Sequence, residues 1–381
     1  MRVHRVCDLP AAAAGEPARL AGGRRREGLQ GGQLTASPPR TPALNPNLLP
    51  IRFAGLVAIL IAALVGPIAP GHAASKPHSE KPMAPPVAPA GVSKEVQQQP
   101  PVPLLWKLSD ADNSVYLLGS FHVLKTTDYP LSTDVEAALG NAERVVFEVP
   151  PAELNDPALS SRMLAAARFG DDRTLASVLP AKLHSRLGAR LSAMGSSIEL
   201  LDAYEPWFVT LSLMMGESRS KGFSGEIGLD THLMGRAHAQ GKGTGGLETM
   251  ASQLKLLDST PLEEQISGLE ELLGEPDKHI ADTLDAMHGA WRSGDVAALD
   301  ALLREDMRKQ TPETYQRLNV ERNEAWLPQV RAMLDTPGSD DVLVVVGAMH
   351  VLGPDGLVER LRSQGYRVER VCSACAGEAA H

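Results

Sequence analysis

Cysteine is nearly absent from this 381-residue chain: there are three, and none lies between Cys7 and Cys372. The body of the chain therefore has no thiol to serve as a nucleophile, and no four-cysteine cage for a structural zinc can form. Cys372 and Cys375 are expected to form a local disulfide or stay a free pair; they lie in a tail after the last strand, where a thioredoxin-like pair would open a helix. Three catalytic signatures are also missing: His-Glu-x-x-His, Gly-x-x-x-x-Gly-Lys-Ser/Thr and Gly-x-Ser-x-Gly. A formal charge of -9 excludes nucleic acid or an anionic membrane surface as the main partner.

A long hydrophobic run is lacking too. The one charge-free apolar stretch, residues 53–65, is shorter than the roughly 20 residues a membrane span needs. It follows Arg52 and leads into Pro67, Pro70 and the small residues Gly71 and Ala73, which is the layout of a cleaved signal peptide over 52–74. The expected location is periplasmic or otherwise extracytoplasmic, with the membrane involved only if this segment is retained. Residues 1–51, rich in Arg, Gly, Pro and Ala, show no hydrophobic period and read as a disordered or over-extended start. Residues 75–103, dominated by Pro, Ala, Gln and Ser, read as an extended linker, leaving a folded domain over 104–372 and a flexible tail over 373–381.

Within that domain one pattern occurs near both ends. The run Val115-Tyr116-Leu117-Leu118 feeds Gly119-Ser120-Phe121-His122, and Val342-Leu343-Val344-Val345-Val346 feeds Gly347-Ala348-Met349-His350. Both read as buried strands ending in a glycine turn with a histidine just beyond, the place where open α/β sheets carry ligands. A third Gly-x-x-His, Gly235 to His238, falls in a helix-patterned segment and is set aside. Gly241, Gly243 and Gly246 match a dinucleotide fingerprint only formally, because they follow a helix and lead into an extended segment.

The segments around them alternate strand, helix and strand. Residues 104–108 and 115–118 form a hairpin, and residues 144–147 form a strand that delivers Glu148. The middle is helical: Leu183, Leu187, Leu191 and Met194 share one face of a helix opened by Pro180, and residues 207–215 are apolar nearly all round. Further helices cover 312–334, with a break, and 355–363, before a last strand at 366–371. The expected fold is α/β (α+β): a central mixed sheet built from N- and C-terminal strand segments, with a large helical insertion or cap between them.

Two imidazoles and nearby carboxylates are a ligand set for a first-row divalent cation such as Mn, Co or Zn. His122 and His350 are the candidate metal ligands, with Glu148 and Glu248 as ligands or proton acceptors. Arg322 and Asn323 offer a cation and an amide for a substrate carboxylate or an oxyanion. The geometry expected is one pocket holding both histidines and both glutamates, with Arg322 at its rim and His238 elsewhere.

The ordered set Gly119 to His122, Glu148, Gly228-Leu229-Asp230, Gly245 to Thr249 with Gln253 and Leu254, Arg322-Asn323 with Trp326, and Gly347 to Gly353 resembles the TraB/GumN family over about residues 104–371. That family includes the pheromone-shutdown proteins and is similar to the Tiki proteases. The resemblance implies a metal-dependent hydrolase, a peptidase acting on a peptide or small envelope substrate, with manganese or cobalt at the paired histidines and glutamates. The other class open to the same residues is a non-catalytic envelope binding protein that sequesters a peptide, a polysaccharide precursor or an iron-bearing cofactor.

Overall fold

The two non-alternating apolar runs, Ser114–Ser120 and Val342–Gly347, are buried along their whole length. Strands of this kind must be covered on both faces. In the computed structural model, which describes residues 99–274, 278–338 and 340–375, they are the second and fifth strands of a six-stranded sheet. The strands are β1 (Leu105–Ser109), β2 (Ser114–Ser120), β3 (Arg144–Phe147), β4 (Gly243–Gly246), β5 (Val342–Gly347) and β6 (Val368–Arg370), in the order β4-β3-β5-β2-β1-β6. The expected N-terminal extension, the signal peptide and most of the linker lie outside the described residues.

β2, β5, β3 and β4 run parallel, whereas β1 pairs antiparallel with β2 and with β6. The sheet is therefore mixed and the fold is α/β, as the alternating segments indicate. One strand departs from the expected plan. β4 comes from the helical middle and extends the sheet beyond β3, so the middle is not only a cap. Its sequence, Gly-Thr-Gly-Gly, has none of the apolar alternation that marks a strand. Gly246 is required by packing, since a Cβ there would sit 2.3 Å from Pro150 Cδ.

Parallel register brings the C-terminal ends of β2 and β5 level, with Ser120 opposite Gly347, and those of β3 and β4 level, with Phe147 opposite Gly246. Helices cover the faces, among them α1 (Thr133–Asn141), α2 (Ala181–Ala193), α3 (Pro206–Ser220), α4 (Leu229–Ala239), α5 (Met250–Asp258), α6 (Leu262–Leu272), α7 (Lys278–Ser293), α8 (Glu321–Asp335) and α9 (Leu357–Ser363). α2 buries Leu183, Leu187 and Leu191 against Val209 and Leu213 of α3 and Leu269 of α6, a core separate from the one around the sheet. Each such leucine contributes on the order of 1.5–3 kcal/mol on burial. Met194, expected on the same face, instead caps the C-terminus of α2 and is 42% exposed. At the other end of the domain Cys372 and Cys375 form a disulfide, and Ser373 hydrogen-bonds to Asp134 at the start of α1.

Candidate functional site

Four parallel strands end on one edge, and each is followed within three residues by one of the polar side chains the sequence singles out. His122 follows β2, Glu148 follows β3, Glu248 follows β4 and His350 follows β5. All four point into one centre. A Cβ placed on Gly347 would lie 3.1 Å from His122 Nε2, 3.3 Å from Glu148 Oε1 and 3.7 Å from His350 Cδ2. These atoms are therefore separated by no more than the sums of those distances, and a side chain at 347 would enter the space between them and push the His122 and Glu148 tips aside by a few tenths of an ångström.

The turn carrying His122 is clamped from behind. Leu229 donates its backbone N–H to the Phe121 carbonyl, and Gly228 comes so near the His122 carbonyl that a Cβ would sit 1.9 Å from the oxygen. Asp230, the next residue on α4, accepts a 2.7 Å hydrogen bond from His122 Nδ1 and a 2.9 Å bond from Ser120 Oγ. His122 Nε2 is thereby turned toward the centre. Burial lowers the proton affinity of His122, but the charge of Asp230 and its hydrogen bond outweigh that, and the net shift is upward.

α7 supports the same turn from the other side. Trp291 Nε1 donates to the Gly119 carbonyl at 3.2 Å, and Phe121 lies against the rings of Trp291 and His288. Asp128, in the loop that follows His122, is bound by His288 at 2.8 Å and Arg292 at 2.6 Å. This trio, buried at Asp128 and His288 and half-buried at Arg292, fastens the loop to α7.

His350 is oriented by a neutral partner. Arg322 Nη1 lies 2.9 Å from His350 Nε2, and a guanidinium can only donate, so Nε2 accepts and Nδ1 carries the proton. That proton goes to Asn323 Oδ1 at 2.8 Å, and Asn323 Nδ2 in turn donates to the Asp355 carbonyl at 2.8 Å and to Asn319 Oδ1 at 3.2 Å. Burial, reinforced by the positive charge of Arg322, pushes His350 down to about 3, so it is neutral at pH 7. Trp326 packs on both neighbours, 4.5 Å from the His350 ring centre and 4.5 Å from the Arg322 guanidinium carbon.

Arg322 joins the two glutamates. Its Nη2 donates to Glu148 Oε2 at 2.5 Å and to Glu248 Oε1 at 2.6 Å. Glu148 Oε1 also accepts from the Gly347 N–H at 2.7 Å, and Gln253 Nε2 bridges Glu148 and Glu248 at 3.1 and 2.8 Å. Burial would raise the Glu148 carboxyl, but chiefly Arg322 holds it down to about 2, so it is ionised. The centre thus contains three carboxylates, Glu148, Asp230 and Glu248, and one permanent cation, Arg322. It is two positive charges short with a neutral His122 and one short with a protonated one.

Two expectations need correction. Arg322 is not at the rim: only 7% of it is exposed, and its guanidinium lies between His350 and both glutamates. The amide of Asn323 does not face substrate, because it is fully buried and both its ends are committed to His350, Asn319 and Asp355. His238 is exposed on α4, away from the centre. The expected break before α8 is a π-helical turn, Gln316–Val320, immediately ahead of Arg322, and its Leu318 carbonyl accepts from Arg322 Nη1 at 3.2 Å. Sequence reasoning gave no role to Asp230, Gln253 or Trp326, although each lies within a motif of the family resemblance.

The donor chemistry suits a divalent cation: two imidazoles with their outer N–H groups engaged, ionised carboxylates and a charge deficit. The guanidinium of Arg322 nevertheless stands among these acceptors. Among the described residues no three His, Cys, Asp or Glu side chains converge closely enough to hold a metal ion as they stand.

A mixed α/β sheet with a His, Glu and Arg centre on the C-terminal edge of its parallel strands defines the class. Residues 104–370 match the TraB/PrgY/gumN family, and the chain belongs to that family. No curated protein matches the chain.

Proposed function

We propose that this chain is an exported, divalent-metal-dependent hydrolase acting on peptides. The observation that carries the proposal is the convergence of His122, His350 and Glu148 on one point beside Gly347, in a buried centre short of positive charge. Export rests on the sequence of residues 52–74.

His122 and His350, through Nε2, with Glu148 and Glu248, would hold a manganese, cobalt or zinc ion, which supplies an acidified water and polarises a carbonyl. Asp230 and Asn323 fix the imidazole tautomers so that both Nε2 lone pairs face inward. Glu148, held near 2 and tied to the Gly347 N–H, is a poor base at neutral pH and serves as a fixed anionic donor. Glu248 is better placed to accept a proton, since its side chain is 14% exposed and the short bonds from Gln253 and Arg322 Nη2 fall on Oε1, leaving Oε2 with the longer 3.4 Å contact from Arg322 Nε. Arg322, the permanent cation of the centre, would meet negative charge developing on a substrate bound there.

The test is cleavage of a peptide library by the mature form, with and without chelator. Chelator-sensitive cleavage that disappears in Glu248→Gln supports the reading. Tight peptide binding without cleavage at any metal concentration would reject it in favour of a non-catalytic envelope binder.

A further inference from the structure

We infer that Arg322 is a tethered counter-cation that competes with a divalent metal for the same donor atoms and so sets the metal affinity of the centre. This inference rests on the reading of the centre as a metal site. The imidazole of His350 has one lone pair toward the centre, on Nε2, and the Arg322 Nη1 proton occupies it at 2.9 Å. A single lone pair serves one partner at a time. Glu148 Oε2 is engaged as well, its two lone pairs accepting from Arg322 Nη2 at 2.5 Å and Gln253 Nε2 at 3.1 Å.

Loading a cation therefore requires the guanidinium to withdraw from His350 and Glu148. The structure gives it a place to go. Arg322 Nε already contacts both oxygens of Glu248, at 3.2 and 3.4 Å, and the guanidinium carbon lies 4.5 Å from the Trp326 ring centre. A guanidinium that gives up His350 and Glu148 is left on Glu248, which then offers the ion one oxygen while the other holds Arg322. The π-helical turn Gln316–Val320 is directly N-terminal to Arg322 and contributes the Leu318 carbonyl to its shell, so the backbone that aims the guanidinium is itself irregular.

The opposite role is a supporting one, in which Arg322 holds Glu248 and Glu148 in place for the metal. The two roles predict opposite signs. Loss of a supporting residue behind the ligands weakens metal binding about 10- to 100-fold. Loss of a competitor strengthens it.

The experiment is a Mn2+ titration of the chelator-stripped mature protein by calorimetry, comparing wild type with Arg322→Met and Arg322→Lys. Methionine keeps apolar bulk against Trp326 and removes the charge; lysine keeps the charge as a compact point whose three N–H donors do not span the spread of acceptors that the planar guanidinium fork reaches. Arg322→Met should bind Mn2+ at least about tenfold tighter than wild type, the factor that one hydrogen bond to a charged group corresponds to, with Arg322→Lys between them. If Arg322→Met does not fold, a tighter Arg322→Lys than wild type supports the inference by itself. Equal or weaker affinity in the folded variants overturns the competition while leaving the metal site intact. Absence of Mn2+ binding in wild type and variants alike would overturn the metal reading together with this inference.

Discussion

The two Gly-x-x-His turns are alike in sequence and opposite in electrostatics. His122 is backed by the carboxylate of Asp230 and its proton affinity is raised; His350 is backed by the amide of Asn323, faces Arg322, and is pushed down to about 3. Both rings are buried; His122 Nε2 faces the space beside Gly347, and His350 Nε2 faces Arg322 at 2.9 Å and Glu148 Oε1 at 3.8 Å. The difference therefore comes from what stands behind and beside each imidazole, and from nothing in the motif itself. A repeated motif reports a shared position on the sheet edge. Its chemistry is set by partners from α4 and α8, elements far away in the chain.

The largest effect on this contrast should come from removing the group both histidines face. Glu148→Ala leaves the Arg322 guanidinium buried beside fewer carboxylates, and breaking a buried pair in this way costs about 3–5 kcal/mol. Urea denaturation of the chelated protein would measure it, and a loss under about 1 kcal/mol would mean that Arg322 is not held by Glu148.

Next come the two outer partners. Asp230→Ala and Asn323→Ala each leave a buried imidazole N–H unpaired, at about 1–3 kcal/mol, with Asp230→Ala the costlier because it removes a charged acceptor shared with Ser120. Proton titration by NMR should show His122 shifted downward in Asp230→Asn and unmoved in Asn323→Ala. The same His122 shift in both variants would break the contrast.

The fold was legible in the sequence because its two central parallel strands, β2 and β5, are fully buried. A short, valine-rich run such as 342–346 bounded by glycine reads as an interior strand, and the glycine turn after it places the next polar residue on the sheet edge. β4 was not legible as a strand, since Gly-Thr-Gly-Gly has no period and its pairing with β3 depends on packing against Pro150. His122, Glu148 and His350 were legible as strand-end residues, and Glu248 only as the polar residue after a short extended segment. The orienting groups were not: Asp230 reaches His122 from 108 residues away, and Arg322 reaches Glu148 from 174. Local pattern carries no information about such pairings, and an Arg-Asn pair on a helix looks like any exposed one until the fold buries it.

The two histidines should also give the chelated protein opposite pH slopes. His350, with a folded value near 3 against 6.5 for the free side chain, disfavours folding progressively as pH falls from about 6.5 toward 3. His122, raised in the folded state, contributes stability that is fully present below about 6.5 and is lost as pH rises through its folded value. Thermal melts across that range should flatten on the acid side in His350→Gln and on the neutral side in His122→Gln. Identical profiles for the two variants would contradict the assignment. The smallest effect is expected at the third Gly-x-x-His: His238→Ala, at an exposed helical position, should change stability by less than about 0.5 kcal/mol and leave cleavage unaltered.

The central claim is that His122 and His350 serve one shared centre, and metal content per chain tests it most directly. The mature protein, loaded with Mn2+ and desalted, should carry one ion per chain, and His122→Ala and His350→Ala should each carry none. Stoichiometric metal retained in both single variants, or no metal bound by the wild type at neutral pH, would contradict it.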